Sequence, residues 1–345
     1  MTRRTSRGLA AAAAVTVAAA TAALLPSVGA SAASAPQARV FMVNPVQSSG
    51  DQSLTDHKDA VSDVPSSAYT TVTLRNLDAS GGLSGKWAVV RSETGKPAKV
   101  AEATSFDRSD DEFEQVMAYF WVNEAQEYLQ GLGFGTELRG ANDRVQPVRL
   151  NQWGADNSFF TDKKDEIRFG KGGVDDAEDA EVIVHEYGHA VHDAQVPGFG
   201  TTPESGAIGE AFGDYLAVAV GTNAVAKYGW PMKADQACVA DWDSTGYSAA
   251  PHCLRRIDGT KTYADVEGEV HADGEIWSRA LFDIRGKLGA RTADRIIVNA
   301  QFGFAADTSF KDAALTTIAT AQKMYGTAAA DAVRSAFRAR AIPGV

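Results

Sequence analysis

From Arg39 to about Val100, apolar and polar positions alternate in the short runs "ARVFMV", "YTTVTLRNL" and "GKWAVVRSE". A period of two puts one face of each run against a core. Pro45, Pro65, Gly81-Gly82 and Gly95 separate the runs, so β-strands joined by turns are expected. The period then lengthens. In "DRSDDEFEQVMAYFWVNEAQEYLQGLG" the apolar residues Phe113, Val116, Met117, Phe120, Trp121, Ala125 and Leu129 recur at helical spacing. Acids open this segment and Gly131 follows its end, which predicts an amphipathic helix. "VQPVRLNQW" and "DEIRFGKG" are read as strands around the turn "GADNSFFTDKK". Further helices are expected from Asp179 to Asp193, from Ser205 to Val220, over "HADGEIWSRALFDIRGKLG" and in the Ala-rich C-terminal segments. Strands first and mostly helices after them make an α+β protein of two lobes, one containing β-structure and one mainly helical.

Composition and charge change this picture at three points. The first 32 residues have a basic start (Arg3, Arg4, Arg7), an Ala/Val/Leu centre and a small-residue end with Ala30-Ser31-Ala32, the layout of a secretory signal peptide. A membrane anchor fits poorly, because the apolar run is broken by Pro26 and lacks a basic stop-transfer flank. Both the general secretory and the twin-arginine routes stay open. Residues 33–104 then form a short β-rich lead-in, which could be removed, inhibit the protein or stay as a lobe of it, and 105–345 form the main domain. The net charge of −11 argues against affinity for nucleic acid or an anionic membrane. Cys238 and Cys253, the two cysteines of an exported chain, are expected to form a disulfide.

The chemistry concentrates in "EVIVHEYGHAVHDA", which holds three of the six histidines. His185 and His189 stand at i and i+4, so they project from one face of a helix and can meet one metal ion. Glu186 is rotated roughly 100° from His185, where it flanks the ion and can take a proton from water activated there. His192 lies about 10.5 Å along the helix from His185, too far to share that ion, and is expected at the surface or in a second layer. The third ligand must come from another segment. "ESGAIGEAFGDYLAVAV" offers Glu210 and Asp214 at i and i+4 on an otherwise apolar, small-residue helix. Burial of such a pair calls for a cation or donors beside it. Zinc on Glu210, and the N–H of a ligand imidazole on Asp214, would satisfy both. The acidic run from Asp175 to Glu181 could hold one calcium ion, but is read as a charged, solvated helix start.

"HEYGH" followed by "GAIGEAFGDYLA" resembles the thermolysin-like zinc metalloproteases, the gluzincins, and looks closest to their fungalysin branch. The resemblance runs from about Phe106 to Val345. It implies a two-lobed fold with His185, His189 and Glu210 as ligands of one catalytic zinc, Asp214 behind His185, and Glu186 as general base. "VHADGEIWSRALFD" implies His271 as the donor to the oxyanion, oriented by Asp265, Glu267 or Glu269. "DNSFFTDKKDEIRFGKG" implies that Asn157 and Ser158 hold the peptide backbone, and "CLRRID" implies Arg255 as the ligand of a substrate carbonyl. Val182 and Leu254 match positions lining the pocket for the residue on the amine side of the cut, so cleavage before bulky hydrophobic residues is expected. No counterpart of the family's tyrosine past the second histidine is found in "QVPGFGTTPES", and most of thermolysin's calcium ligands are not reproduced. The reading is a monomeric, secreted zinc metalloendopeptidase acting on proteins or peptides. Its rivals are a secreted zinc-holding binding protein without peptidase activity, and a zinc exopeptidase, for which no acidic anchor for a substrate amino terminus is found.

Overall fold

The alternating runs near the N-terminus form strands that are built into the rest of the chain. The structure is a computed structural model describing residue 1 and residues 35–345, so the leader expected over 1–32 falls outside the described residues but for Met1. Strand β1 (Gln37–Phe41) pairs antiparallel with β2 (Tyr69–Thr73). Phe41 packs its ring 4.6 Å from Tyr69 and 4.9 Å from Phe113, the latter on helix α2 (Asp111–Gly131) after the short α1 (Pro45–Ser49). Strand β3 (Ala88–Ser92) pairs parallel with β4 (Gln146–Leu150) at one edge of a four-stranded sheet. Residues Ala35–Val345 pack as one unit, to which the lead-in thus contributes a strand of the main sheet.

Strand β6 (Glu166–Phe169) runs parallel to β4, and β5 (Ser158–Thr161) lies antiparallel to β6 at the sheet edge. That edge strand forms inside the segment read as a turn. Four residues with two adjacent phenylalanines show no period of two, and only pairing with β6 makes them a strand. Phe159 also stacks on Trp153 at 5.1 Å, which holds the edge in place.

The helical part comprises α3 (Ala180–Gln195), α4 (Pro203–Tyr228), α5 (Val270–Leu288), α6 (Ala290–Gln301), α7 (Phe310–Tyr325) and α8 (Thr327–Ala339). Helix α4 is apolar nearly all round because it lies between α3 and α5. Phe212 and Tyr215 of α4 and Tyr187 of α3 are among the fully buried side chains. Between α4 and α5 the short strands β7 (Cys238–Val239) and β8 (Arg255–Arg256) pair antiparallel, and the disulfide Cys238–Cys253 closes the loop between them. Among the described residues no helix is long and apolar enough to cross a membrane.

The acidic run before α3 departs from its expected solvated state. Asp175, Asp176, Glu178, Asp179 and Glu181 are all buried. Three of them, Glu178, Asp179 and Glu181, are met by groups distant in sequence. The fully buried Arg108 pairs with Glu178 at 2.9 Å, Asn44 donates to Asp179 at 3.1 Å, and the Ala240 N–H donates to Glu181 at 2.8 Å. Asp179 also caps α3 by accepting from the Glu181 N–H.

Candidate active site

Helix α3 brings His185 and His189 to one face, and a close helix crossing brings α4 to them. A Cβ at Gly188 would lie 2.9 Å from the Gly213 Cα, and one at Gly213 would lie 2.6 Å from His185 Nδ1. Glycine at both positions therefore lets the two backbones touch. The crossing sets His189 Nε2 3.1 Å from His185 Nε2, with Glu210 oxygens 3.2 Å from His185 Nε2 and 3.5 Å from His189 Nε2. Zinc–ligand distances of 2.0–2.1 Å in a tetrahedron imply edges of roughly 3.3–3.4 Å. The three side chains thus have the donor set and the spacing for one such ion.

Support behind these groups is equally specific. His185 Nδ1–H donates to Asp214 Oδ1 at 2.8 Å, which leaves Nε2 turned towards Glu210 and His189. Asp214 is buried and accepts two bonds from Arg255, each 2.7 Å, so its carboxyl is held well below the usual carboxylate range. For His185, burial works against the charge, but Asp214 and Glu210 outweigh it and lift the imidazole to about 10. Burial lowers His189 to about 4.

Glu186 is buried beside them, and its Oε2 has no protein partner. Burial raises its carboxyl to about 7, with His185, the Phe160 N–H and Arg255 pulling it down. Of the three acids weighed for His271, it is Glu269 that binds its ring, accepting from Nδ1 at 2.7 Å. The same carboxylate caps α5 by accepting from the His271 and Ala272 N–H groups. His271 Nε2 then lies 3.4 Å from Glu210. His192 is neither at the surface nor in polar company. It is fully buried, stacked 3.8 Å from Phe199, and neither ring nitrogen has a partner among the described residues.

A cavity of about 370 Å³ opens beside His185, Glu186 and His271. Asn157, Ser158 and Arg255 line it, as do Val182 and Leu254. Asp156, Asp176 and Asp243 line it too. They stand beside Val182 and Leu254, the two residues on which the expected preference for bulky hydrophobic residues rests. None of the three was assigned to the site from the sequence. They come from separate segments with no shared period, and Asp176 sat in the run read as solvated.

Residues 198–342, which include Glu210, Asp214, Arg255 and His271, match the family model of the thermolysin metallopeptidase alpha-helical domain. The chain carries a thermolysin-type helical domain. A stretch of 124 residues, 33% of the chain, is 28% identical to the extracellular metalloproteinase MEP of Fusarium vanettenii, and the match spans 19% of that protein. The precursor of protealysin, a metalloproteinase from Serratia proteamaculans, superposes with a TM-score of 0.57 at 18% identity. That superposition covers 77% of this chain and 90% of the other, so the thermolysin-like likeness extends in fold well beyond the helical domain. The resemblance to thermolysin-like metalloproteases, their fungalysin branch included, is borne out, as is the α+β fold. The HEYGH helix lies just N-terminal to the thermolysin-type domain and docks on it through Gly188 and Gly213.

Proposed function

We propose that the chain is a secreted zinc metalloendopeptidase. One observation carries the reading: three ligand side chains whose donor atoms approach one another to 3.1–3.5 Å lie beside a buried carboxylate with an unpartnered oxygen, at the edge of a cavity. Secretion is supported by the leader-like residues 1–32 and by the extracellular designation of the Fusarium relative. Zinc held by His185, His189 and Glu210 would supply Lewis acidity, polarising the scissile carbonyl and lowering the pKa of water towards about 7.

The chain's own groups do the rest. An extended peptide lies along β5, the free edge of the sheet, with Asn157 and Ser158 at its end. Glu186, raised to about 7 by burial, accepts the proton of the attacking water and passes it to the leaving nitrogen. His271, fixed by Glu269, donates from Nε2 to the developing oxyanion. Arg255, held at Nε and Nη2 by Asp214, keeps Nη1 for a substrate carbonyl. The Asp214 carboxylate thereby positions a metal-binding imidazole and a substrate-binding guanidinium together.

The test is the Glu186→Gln variant assayed for zinc and for cleavage of a quenched peptide. Zinc content should stay at one per chain while cleavage falls roughly 10²–10⁴-fold, and a chelator should abolish the wild-type activity. A Glu186→Gln protein that cleaves at the wild-type rate would remove Glu186 from the mechanism. A zinc-loaded wild type that cuts no peptide would favour the binding-protein reading.

A further inference from the structure

The cavity beside Glu186 has apolar walls and an acidic end. Val182, Val239 and Leu254 supply the walls. Asp156, Asp176 and Asp243 each bring a carboxylate oxygen within 4.8 Å of the others. Asp176 is 2% exposed, and its Oδ1 has no partner. Its other oxygen accepts from the Ser158 hydroxyl, as Asp243 accepts from the Tyr247 hydroxyl. Arg255 is the arginine of the lining, and its Nε and Nη2 are committed to Asp214. Two of the three carboxylates are buried with one hydroxyl donor each, and Asp156 is exposed at the rim. Among the described residues none of the three forms an ion pair, so their end of the cavity suits a cationic group.

We propose that this cavity receives the side chain on the amine side of the scissile bond, and that Asp176, Asp243 and Asp156 select lysine or arginine there. The assignment rests on the peptidase reading above. Val182 and Leu254, which the resemblance matches to that substrate position, line the cavity, and it opens directly on Glu186 and His185. A long aliphatic stem with a charged tip matches apolar walls that end in carboxylates. A calcium ion matches less well. It takes 6–8 oxygens, whereas two of the three carboxylates here already hold hydroxyl groups. The protonation of the acids agrees with this. Burial, reinforced by Asp243, lifts Asp176 to about 9, and burial lifts Asp243 to about 7. Left without a cation they drift towards their neutral forms, and an ammonium or guanidinium group would restore their charge. Apolar occupants gain the walls and lose the floor, which is the basis for discrimination.

The experiment uses the zinc-loaded protein and quenched peptides that differ only at the residue following the cut: Lys, Arg, Leu, Phe or Glu. Wild-type kcat/KM should favour Lys or Arg over Leu about tenfold or more. Asp176→Asn should lower the Lys-to-Leu ratio by a similar factor, with Asp243→Asn as the second variant should the first not fold. A wild type that prefers Leu or Phe overturns the proposal. So does a calcium-dependent rise in thermal stability that vanishes in Asp176→Asn, because the acids would then hold a metal. Thermal shift with the dipeptides Lys-Ala and Leu-Ala separates this proposal from the peptidase reading. Stabilisation by Lys-Ala that Asp176→Asn removes, in a protein that cuts nothing, would uphold the cavity and refute the peptidase. Stabilisation by Leu-Ala in preference to Lys-Ala would refute the cavity in either case.

Discussion

His192 shows what burial does to a single side chain in this site's surroundings. It shares the HEYGHAVH run with the ligands but packs among Phe199, Phe212 and Phe304. Burial lowers its imidazole to about 3, so it is neutral in the folded chain at all but strongly acidic pH. In the unfolded chain it takes up a proton near its ordinary value of about 6.5. Stability from this residue is therefore fully present above pH 6.5 and is lost as pH falls from there towards 3. At pH 5 the loss amounts to roughly 2 kcal/mol. Chemical denaturation at pH 7 and pH 5 should show a smaller acid-induced loss in His192→Phe than in the wild type by about that amount. Equal losses would mean that the imidazole is protonated in the folded protein.

At the scale of elements, the α3–α4 crossing decides whether the ligands meet. Gly213→Ala puts a methyl group 2.6 Å from His185 Nδ1, on the atom that Asp214 holds. The expected outcome is zinc binding weakened about 10–100-fold, read by competition with a chromogenic chelator. Gly286→Ala in α5 meets nothing within 4 Å and serves as the control. It should leave zinc binding unchanged and raise stability by about 0.5–1 kcal/mol. If Gly213→Ala behaves like the control, the helices can separate without disturbing the ligands. The contrast also marks what the sequence made legible. His185, Glu186 and His189 announce themselves because one helix carries them at a spacing with few other uses, and Glu210 and Asp214 repeat that logic on α4. Gly188 and Gly213 were equally visible, but their role depends on which helix lies opposite. Strand β5 was hidden by its length, and the burial of the acidic run by the distance in sequence to Arg108 and Asn44. Glu269 could not be separated from Asp265 and Glu267 by position, because the choice rests on the cap of α5.

Across the whole molecule, the β-rich lead-in, the sheet and the helices form one unit around the cleft. β5 supplies an edge for an extended chain, α3 and α4 the three ligands, and α5 the exposed His271. The loop closed by Cys238–Cys253 brings Asp243 and Tyr247 to the cavity, and Leu254 and Arg255 follow directly after it. A net charge of −11 favours the approach of cationic peptides to this cleft. All of these roles depend on one ion sitting where the two helices cross. Crystals of the protein grown with zinc, with diffraction recorded on both sides of the zinc absorption edge, test this most directly. The account predicts one strong anomalous peak about 2.0–2.1 Å from His185 Nε2, His189 Nε2 and a Glu210 oxygen, with its fourth position open to solvent. No peak between those side chains, or an ion closed off by a fourth protein ligand, would contradict it.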